Sequence, residues 1–176
     1  MEIIYHAASS LDGFIATEDG GVDWLTPFQE SGEDLGFNKF FASVDSLLIG
    51  SRTYEFMLDH PPWLAPDKPS VVFTKRQLPL AASNVTLSQQ TPSEVVTGLE
   101  QRGLKRAWLM GGGQLATAFR KEGLISEYRI AMIPVILGGG IPLFAPGAEF
   151  AELQLTDSQS FACGIVQLTH VNPDSP

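Results

Sequence analysis

Ala107-Trp-Leu-Met-Gly-Gly-Gly-Gln-Leu-Ala116 is the stretch from which the fold of this chain is read. Ala107 to Met110 is an apolar run of strand length, and Gly111-Gly112-Gly113 breaks it at once. Gln114 to Lys121 then reads as a helix stopped at Gly123. A buried strand passing through glycines straight into a helix is half of a βαβ unit. The glycines let a backbone approach a ligand, and the helix opening offers free N–H groups carrying roughly half a positive charge. Together they suit a diphosphate, and the spacing satisfies G-x-G-x-x-A. A tight strand-to-helix turn without a ligand uses the same residues. A standard Rossmann domain is also awkward, because too little chain follows the motif for a second mononucleotide half.

The same alternation continues outward in both directions. Upstream, Ile3 to Ala8 reads as a strand closed by Asp12-Gly13, Gly32 to Val44 as a helix, and Ser46 to Ile49 as a buried strand ending on Gly50. Ser51 to Leu58 reads as helix, followed by a proline-rich loop from His60 to Pro69, then strands at Ser70–Thr74 and Val85–Leu87. Thr91-Pro-Ser-Glu94 is a helix start of capping-box type, and that helix stops at Gly103. Downstream lie a strand from Tyr128 to Ile136 and two antiparallel strands, one at Thr156-Asp157 and one at Ile165–Val171. The reading is one α/β domain, 1–171, with a mostly parallel central sheet covered on both faces, antiparallel strands at its C-terminal side, and a tail, 172–176.

Composition narrows the function classes. With 176 residues and 44% hydrophobic content the chain can bury a core, and 18% charged residues are too few for disorder. A net charge of −9 argues against nucleic-acid or anionic-membrane partners. One cysteine, Cys163, and three scattered histidines, His6, His60 and His170, exclude a disulfide framework and leave no metal motif. No apolar run reaches the roughly 18 residues of a membrane helix, and the start of the chain lacks a basic signal region, so a cytoplasmic protein is expected.

Two more strand ends could carry chemistry. Gly50-Ser51-Arg52-Thr53 repeats the sequence of strand, glycine and helix, now with a guanidinium and a hydroxyl in the first turn. Thr74-Lys75-Arg76 puts two of the chain's eleven bases side by side past a buried strand, which suits an adenosine 2′-phosphate. A solvated surface pair is the plain alternative.

In order and spacing these segments resemble the dihydrofolate-reductase fold, and more closely a bacterial group related to the reductase domain of bifunctional riboflavin-biosynthesis deaminase-reductases. The resemblance is carried by Ser10-Leu-Asp-Gly-Phe-Ile-Ala16, Val44-Asp45, Gly50 to Glu55, Thr74-Lys75-Arg76, Gly111-Gly112-Gly113, and Pro134 to Phe144. It implies a three-layer α/β/α fold and NADPH as cofactor. Gly111, Gly112, Gly113, Gln114 and Leu115 would hold the diphosphate, with Gly50, Ser51, Arg52 and Thr53 flanking it. Thr74, Lys75 and Arg76 would take the ribose and 2′-phosphate, and Ala8, Phe14 and Ile15 would lie against the nicotinamide. A cis peptide at Gly111–Gly112 and a homodimer are also implied. Ser51 departs from the pattern, which more often has Arg there.

For the proton that completes a reduction, Asp34 is the candidate, sixteen residues before Gly50 as in the substrate-binding carboxylate of dihydrofolate reductases. Asp12 is its rival. An aspartate in a first helical turn or an Asp-Gly turn also needs no chemistry to explain it. Phe37, Phe41, Trp63 and Phe144 are candidates to line the acceptor pocket, with core packing as the alternative. The reading is an NADPH-dependent oxidoreductase acting on a flat heterocycle, a pterin or aminopyrimidine, with the ribosylaminouracil reductase reaction of riboflavin biosynthesis included. No deaminase zinc motif is present. The alternatives are a nucleotide-binding module of the same fold without turnover, and an α/β domain whose glycines only make turns.

Overall fold

A computed structural model describes residues 1–30, 32, 34–147 and 150–173. Its elements in chain order are β1 (Glu2–Ser10), β2 (Phe14–Ala16), a 3-10 turn (Asp23–Leu25), α1 (Thr26–Gln29) and α2 (Phe37–Ser43). Then come β3 (Ser46–Gly50), α3 (Ser51–Leu58), β4 (Ser70–Phe73), β5 (Val85–Ser88), α4 (Pro92–Gln101), β6 (Arg106–Met110) and α5 (Gly113–Lys121). The last are β7 (Glu127–Ile133), β8 (Ile141–Pro142), β9 (Gln154–Ser160) and β10 (Val166–Val171).

Eight strands form one sheet in the order β5-β4-β3-β6-β1-β7-β10-β9. The first six run parallel, while β10 is antiparallel to β7 and β9 to β10. The side chains of a strand alternate between faces, so each central strand feeds two cores. Ile3 and Tyr5 pack with Val95 and Leu99 of α4 and Phe119 of α5. Ile4 and Trp108 pack with Phe40 of α2 and Tyr54 of α3 on the other face. The result is the expected three-layer α/β architecture. The Thr91–Glu94 capping box is fully formed, each partner's side chain meeting the other's backbone N–H. Among the described residues no helix is long and apolar enough to cross a membrane.

Three sequence expectations need correction. The helix expected from Gly32 starts only at Phe37, because Leu35 and Gly36 both take left-handed conformations (φ 53° and 74°) that a right-handed helix cannot include. Glu33, within that expected helix, lies outside the described residues, as do the last three residues of the tail. The strand expected to reach Ile136 stops at Ile133, where Pro134 removes a backbone donor. The peptide expected to be cis at Gly111–Gly112 is not, the cis bond among the described residues being Pro61–Pro62. The glycine turn closes with ordinary trans geometry.

One topological fact positions the site. After β3 the chain leaves through α3 toward β4, and after β6 it leaves through α5 toward β7, on the other side of the sheet. β3 and β6 are neighbours, and α3 and α5 lie on opposite faces. The crevice beyond the ends of β3 and β6 is therefore the switch point of the sheet, where open α/β folds bind ligands.

Candidate functional site

At that crevice two glycine turns meet backbone to backbone. The register pairs Ile49 with Met110, which brings the next residues, Gly50 and Gly111, together. A Cβ built on Gly111 would lie 3.1 Å from the Gly50 nitrogen and 3.2 Å from Leu115 Cδ2. One built on Gly50 would lie 3.6 Å from Gly111 Cα. Side chains here would fill the seam between the two helix openings. Gly50 and Gly112 are the extended residues before α3 and α5, and neither helix start is capped by the side chain of that residue. At α5 the Leu115 N–H already donates to Gly112 O at 3.0 Å, so the amides left without a helical acceptor at this rim are those of residues 51–53 and of Gly113 and Gln114. The crevice fits a diphosphate on this ground.

Gly113 has a different task. A Cβ there would lie 2.5 Å from the Pro142 carbonyl oxygen, 2.8 Å from the Ala145 nitrogen and 3.1 Å from the Leu143 oxygen. Only glycine lets α5 start against this 141–145 strap. The strap is bound on all sides: Leu143 N–H donates to Gly13 O at 2.8 Å, Tyr5 Oη to Leu143 O at 3.0 Å, and Thr117 Oγ1 to Ala145 O at 3.1 Å. β8 pairs with β2, so Phe14 and Ile15 are held beside the glycine turn, with Ile15 Cδ1 3.9 Å from where a Gly112 Cβ would stand. The β2–β8 pairing was not foreseen in the sequence. Ala8 sits behind, partly buried with Ala131, Leu35 and Trp24.

Asp12 secures the same loops. Its Oδ1 accepts from Ser10 Oγ at 2.6 Å and Leu137 N–H at 3.1 Å, and its Oδ2 from Gly138 N–H at 2.7 Å. These bonds, the one from Ser10 foremost, lower its pKa below the usual carboxylate value, so at neutral pH it is an ionised staple with no proton to give. Asp34 lies before α2, exposed, and both its oxygens accept from Asn38 N–H at 3.2 and 3.3 Å. It caps the helix from outside rather than riding on its first turn.

The strand end after β4 places Lys75 and Arg76 at the rim, both exposed. Thr74 Oγ1 accepts from Arg76 N–H at 3.0 Å and shapes the turn. The Arg76 guanidinium is not free: it forms a two-pronged pair with Glu55 of α3, Nη1–Oε1 at 2.8 Å and Nη2–Oε2 at 2.5 Å. Arg52 and Lys75 make no ion pair with a described residue.

The four expected pocket aromatics are not brought together. Phe37 and Phe41 stack at 5.8 Å and pack edge-on against Trp108 under α2. Trp63 packs edge-on against Tyr54, and its Nε1 donates to Ala65 O at 2.9 Å. Phe144 is on the opposite face, against Tyr5 and Tyr128, with Arg120 over its ring at 5.4 Å. A common wall for one flat ligand would need all four on one side of the sheet, whereas α2 and the loop of Trp63 pack into one core and the strap carries Phe144 into the other.

His6 of β1 is the unusual group on the α2 face. Its ring meets Phe40 edge-on at 4.3 Å and lies 6.0 Å from Trp108, and its Nδ1 is buried with no hydrogen-bond partner among the described residues. Burial first, and the Arg129 charge second, lower its pKa from 6.5 to about 4, so the ring is neutral at pH 7. A single histidine within a strand carries no signal by which sequence could have found this. Among the described residues no group of three or more His, Cys, Asp or Glu could hold a metal ion.

Comparison with known proteins agrees with this fold. The family described as RibD C-terminal domain matches residues 1–167. YwjB of Bacillus subtilis, a protein without an assigned function, is 36% identical over 96% of both chains. The riboflavin biosynthesis protein RibD of Corynebacterium ammoniagenes is 29% identical over 78% of this chain, which spans 44% of that protein. A solved structure from Shewanella sp. PV-4, provisionally named a riboflavin biosynthesis protein, superposes with TM-score 0.85 at 28% identity, covering 97% of this chain and 98% of its own.

Proposed function

Because the chain belongs to the RibD C-terminal domain family, we propose that it is an NADPH-dependent reductase of a flat heterocycle, a pterin or aminopyrimidine, with ribosylaminouracil-type compounds among the candidates. The observation that carries this reading is the seam at Gly50 and Gly111, where two uncapped helix openings share one rim at the switch point of the sheet. When bound, NADPH would supply the hydride to the acceptor. The amides of residues 51–53 and of Gly113 and Gln114 would hold its diphosphate, and Thr74 and Lys75 its ribose and 2′-phosphate. Phe14 and Ile15, fastened down by the strap, would lie beside the nicotinamide with Ala8 and keep water from the reacting atoms.

His6 is neutral and Asp12 ionised at pH 7, so neither is the proton source of this reading. Asp34 is the carboxylate assigned to the substrate in this reading. Its carboxylate is exposed and accepts from Asn38 N–H. Assembly as a homodimer belongs to the same proposal and is checked by light scattering.

Titration with NADPH and NADH, followed by cofactor oxidation across a panel of pterins and aminopyrimidines, tests the reading. Tight NADPH binding with oxidation by at least one flat heterocycle is expected. Binding without oxidation by any of them would leave a nucleotide-binding module, and failure to bind either dinucleotide would leave neither.

A further inference from the structure

Arg76 is the cation best shaped to grip a phosphate at the end of β4, and it is already gripped. Glu55 belongs to α3, whose opening forms one half of the proposed diphosphate seat. Its carboxylate fills the Arg76 fork at 2.8 and 2.5 Å, while the Arg76 backbone is fixed to Thr74. Arg76 and Glu55 are 54% and 36% exposed, so the pair stands at the rim, where a ligand can reach it, rather than inside the core. Its net contribution to folding is small. What it does change is charge. Glu55, Lys75 and Arg76 sum to one positive charge where the doublet Lys75-Arg76 alone shows two, and in the neighbouring turn Arg52 adds one while Ser51 adds none.

We propose that Glu55 is a specificity-determining residue that holds down the preference of this protein for the 2′-phosphorylated dinucleotide by occupying Arg76. The proposal rests on the reductase reading above. A 2′-phosphate near pH 7 carries close to two negative charges and three acceptor oxygens that compete for the same guanidinium fork. It must displace the carboxylate or bind beside it against repulsion. The 2′-hydroxyl of NADH is uncharged and meets no such opposition. Glu55 thereby penalises one dinucleotide and leaves the other almost untouched.

Glu55→Gln keeps the shape of the side chain and removes its charge. A dianion about 7 Å from one unit charge in a water-like medium, slightly screened, corresponds to roughly fivefold in affinity. Dissociation constants of both dinucleotides are measured by fluorescence titration on the wild type and on Glu55→Gln, at low and high salt. The expected result is NADPH binding about fivefold tighter at low salt, NADH unchanged within about twofold, and a gain that shrinks as salt rises. In Glu55→Gln combined with Arg76→Ala the gain disappears. A purely structural role for Glu55 would shift both dinucleotides together. If the wild type binds both and the NADPH-to-NADH ratio is unchanged or lowered in Glu55→Gln, the Glu55 assignment is wrong while the reductase reading stands. If the wild type binds neither, the reductase reading itself falls and takes this proposal with it.

Discussion

Replacing Gly113 by alanine adds one methyl group at the most crowded backbone junction of the site. Gly113 does not have a positive φ, so alanine suits the backbone, and at the start of α5 it would by propensity alone gain up to about 1 kcal/mol. Sterics oppose this. The new Cβ meets three backbone atoms of the strap at 2.5, 2.8 and 3.1 Å, and backbone cannot step aside by changing rotamer. For the strap to retreat it must stretch its bonds to Gly13, Tyr5 and Thr117. Overpacking of this kind costs about 1–3 kcal/mol, and each weakened hydrogen bond adds a share of about 1 kcal/mol. The expected net loss is about 2–3 kcal/mol, or a midpoint lowered by roughly 5–10 °C for a chain of this size. Gly98→Ala is the matched control. It lies inside α4 with nothing within 4 Å of its Cβ position, so it is expected to stabilise by up to about 1 kcal/mol. Urea unfolding of the two variants decides the matter. A Gly113→Ala protein as stable as the wild type, or a destabilised Gly98→Ala protein, would refute the packing argument.

Three further outcomes are expected. Asp12→Ala releases the 137–138 loop, so hydrogen exchange at Leu137 and Gly138 quickens while β1 and β6 keep their protection; unchanged exchange there would remove the staple role. His6 is deprotonated in the folded state down to about pH 4 but only to about 6.5 when unfolded, so the unfolded state takes up the proton first. Stability is therefore full above pH 6.5 and falls as pH drops toward 4, by at most about 1.4 kcal/mol per pH unit. His6→Phe should flatten that slope in unfolding measured between pH 6.5 and 5. Asp34→Asn keeps an oxygen to accept from Asn38, so stability should change by less than about 0.5 kcal/mol. Turnover should nevertheless fall several-fold with NADPH affinity intact, and unaltered turnover would leave Asp34 with only its capping task.

Local signals were legible in the chain and long-range ones were not. Ser51–Leu58 and the start of α4 follow from glycine, proline and capping chemistry acting over four or five residues, and the structure has them where they were read. Leu35 hides the delayed start of α2, because nothing in a leucine side chain announces a left-handed backbone. β2 and β8 are three and two residues long, and each is a strand only because the other, far away in the chain, completes its ladder. Helical spacing turns Phe37 and Phe41 inward but is silent about which face of the sheet receives them, and they ended opposite Phe144. The Glu55–Arg76 pair spans 21 residues and two elements, so the doublet Lys75-Arg76 looked twice as basic as it is.

The central claim is that amides at the openings of α3 and α5 seat the diphosphate of a nicotinamide dinucleotide. Titration of isotope-labelled protein with NADPH, followed amide by amide, tests it most directly. The N–H signals of residues 51–53, 113 and 114 are expected to shift most strongly and saturate together, with Lys75 moving for NADPH and not for NADH. Shifts confined to other surfaces, such as the groove along α4 lined by Ser93, Thr97 and Glu100, or no saturable shift at those two openings, would contradict it.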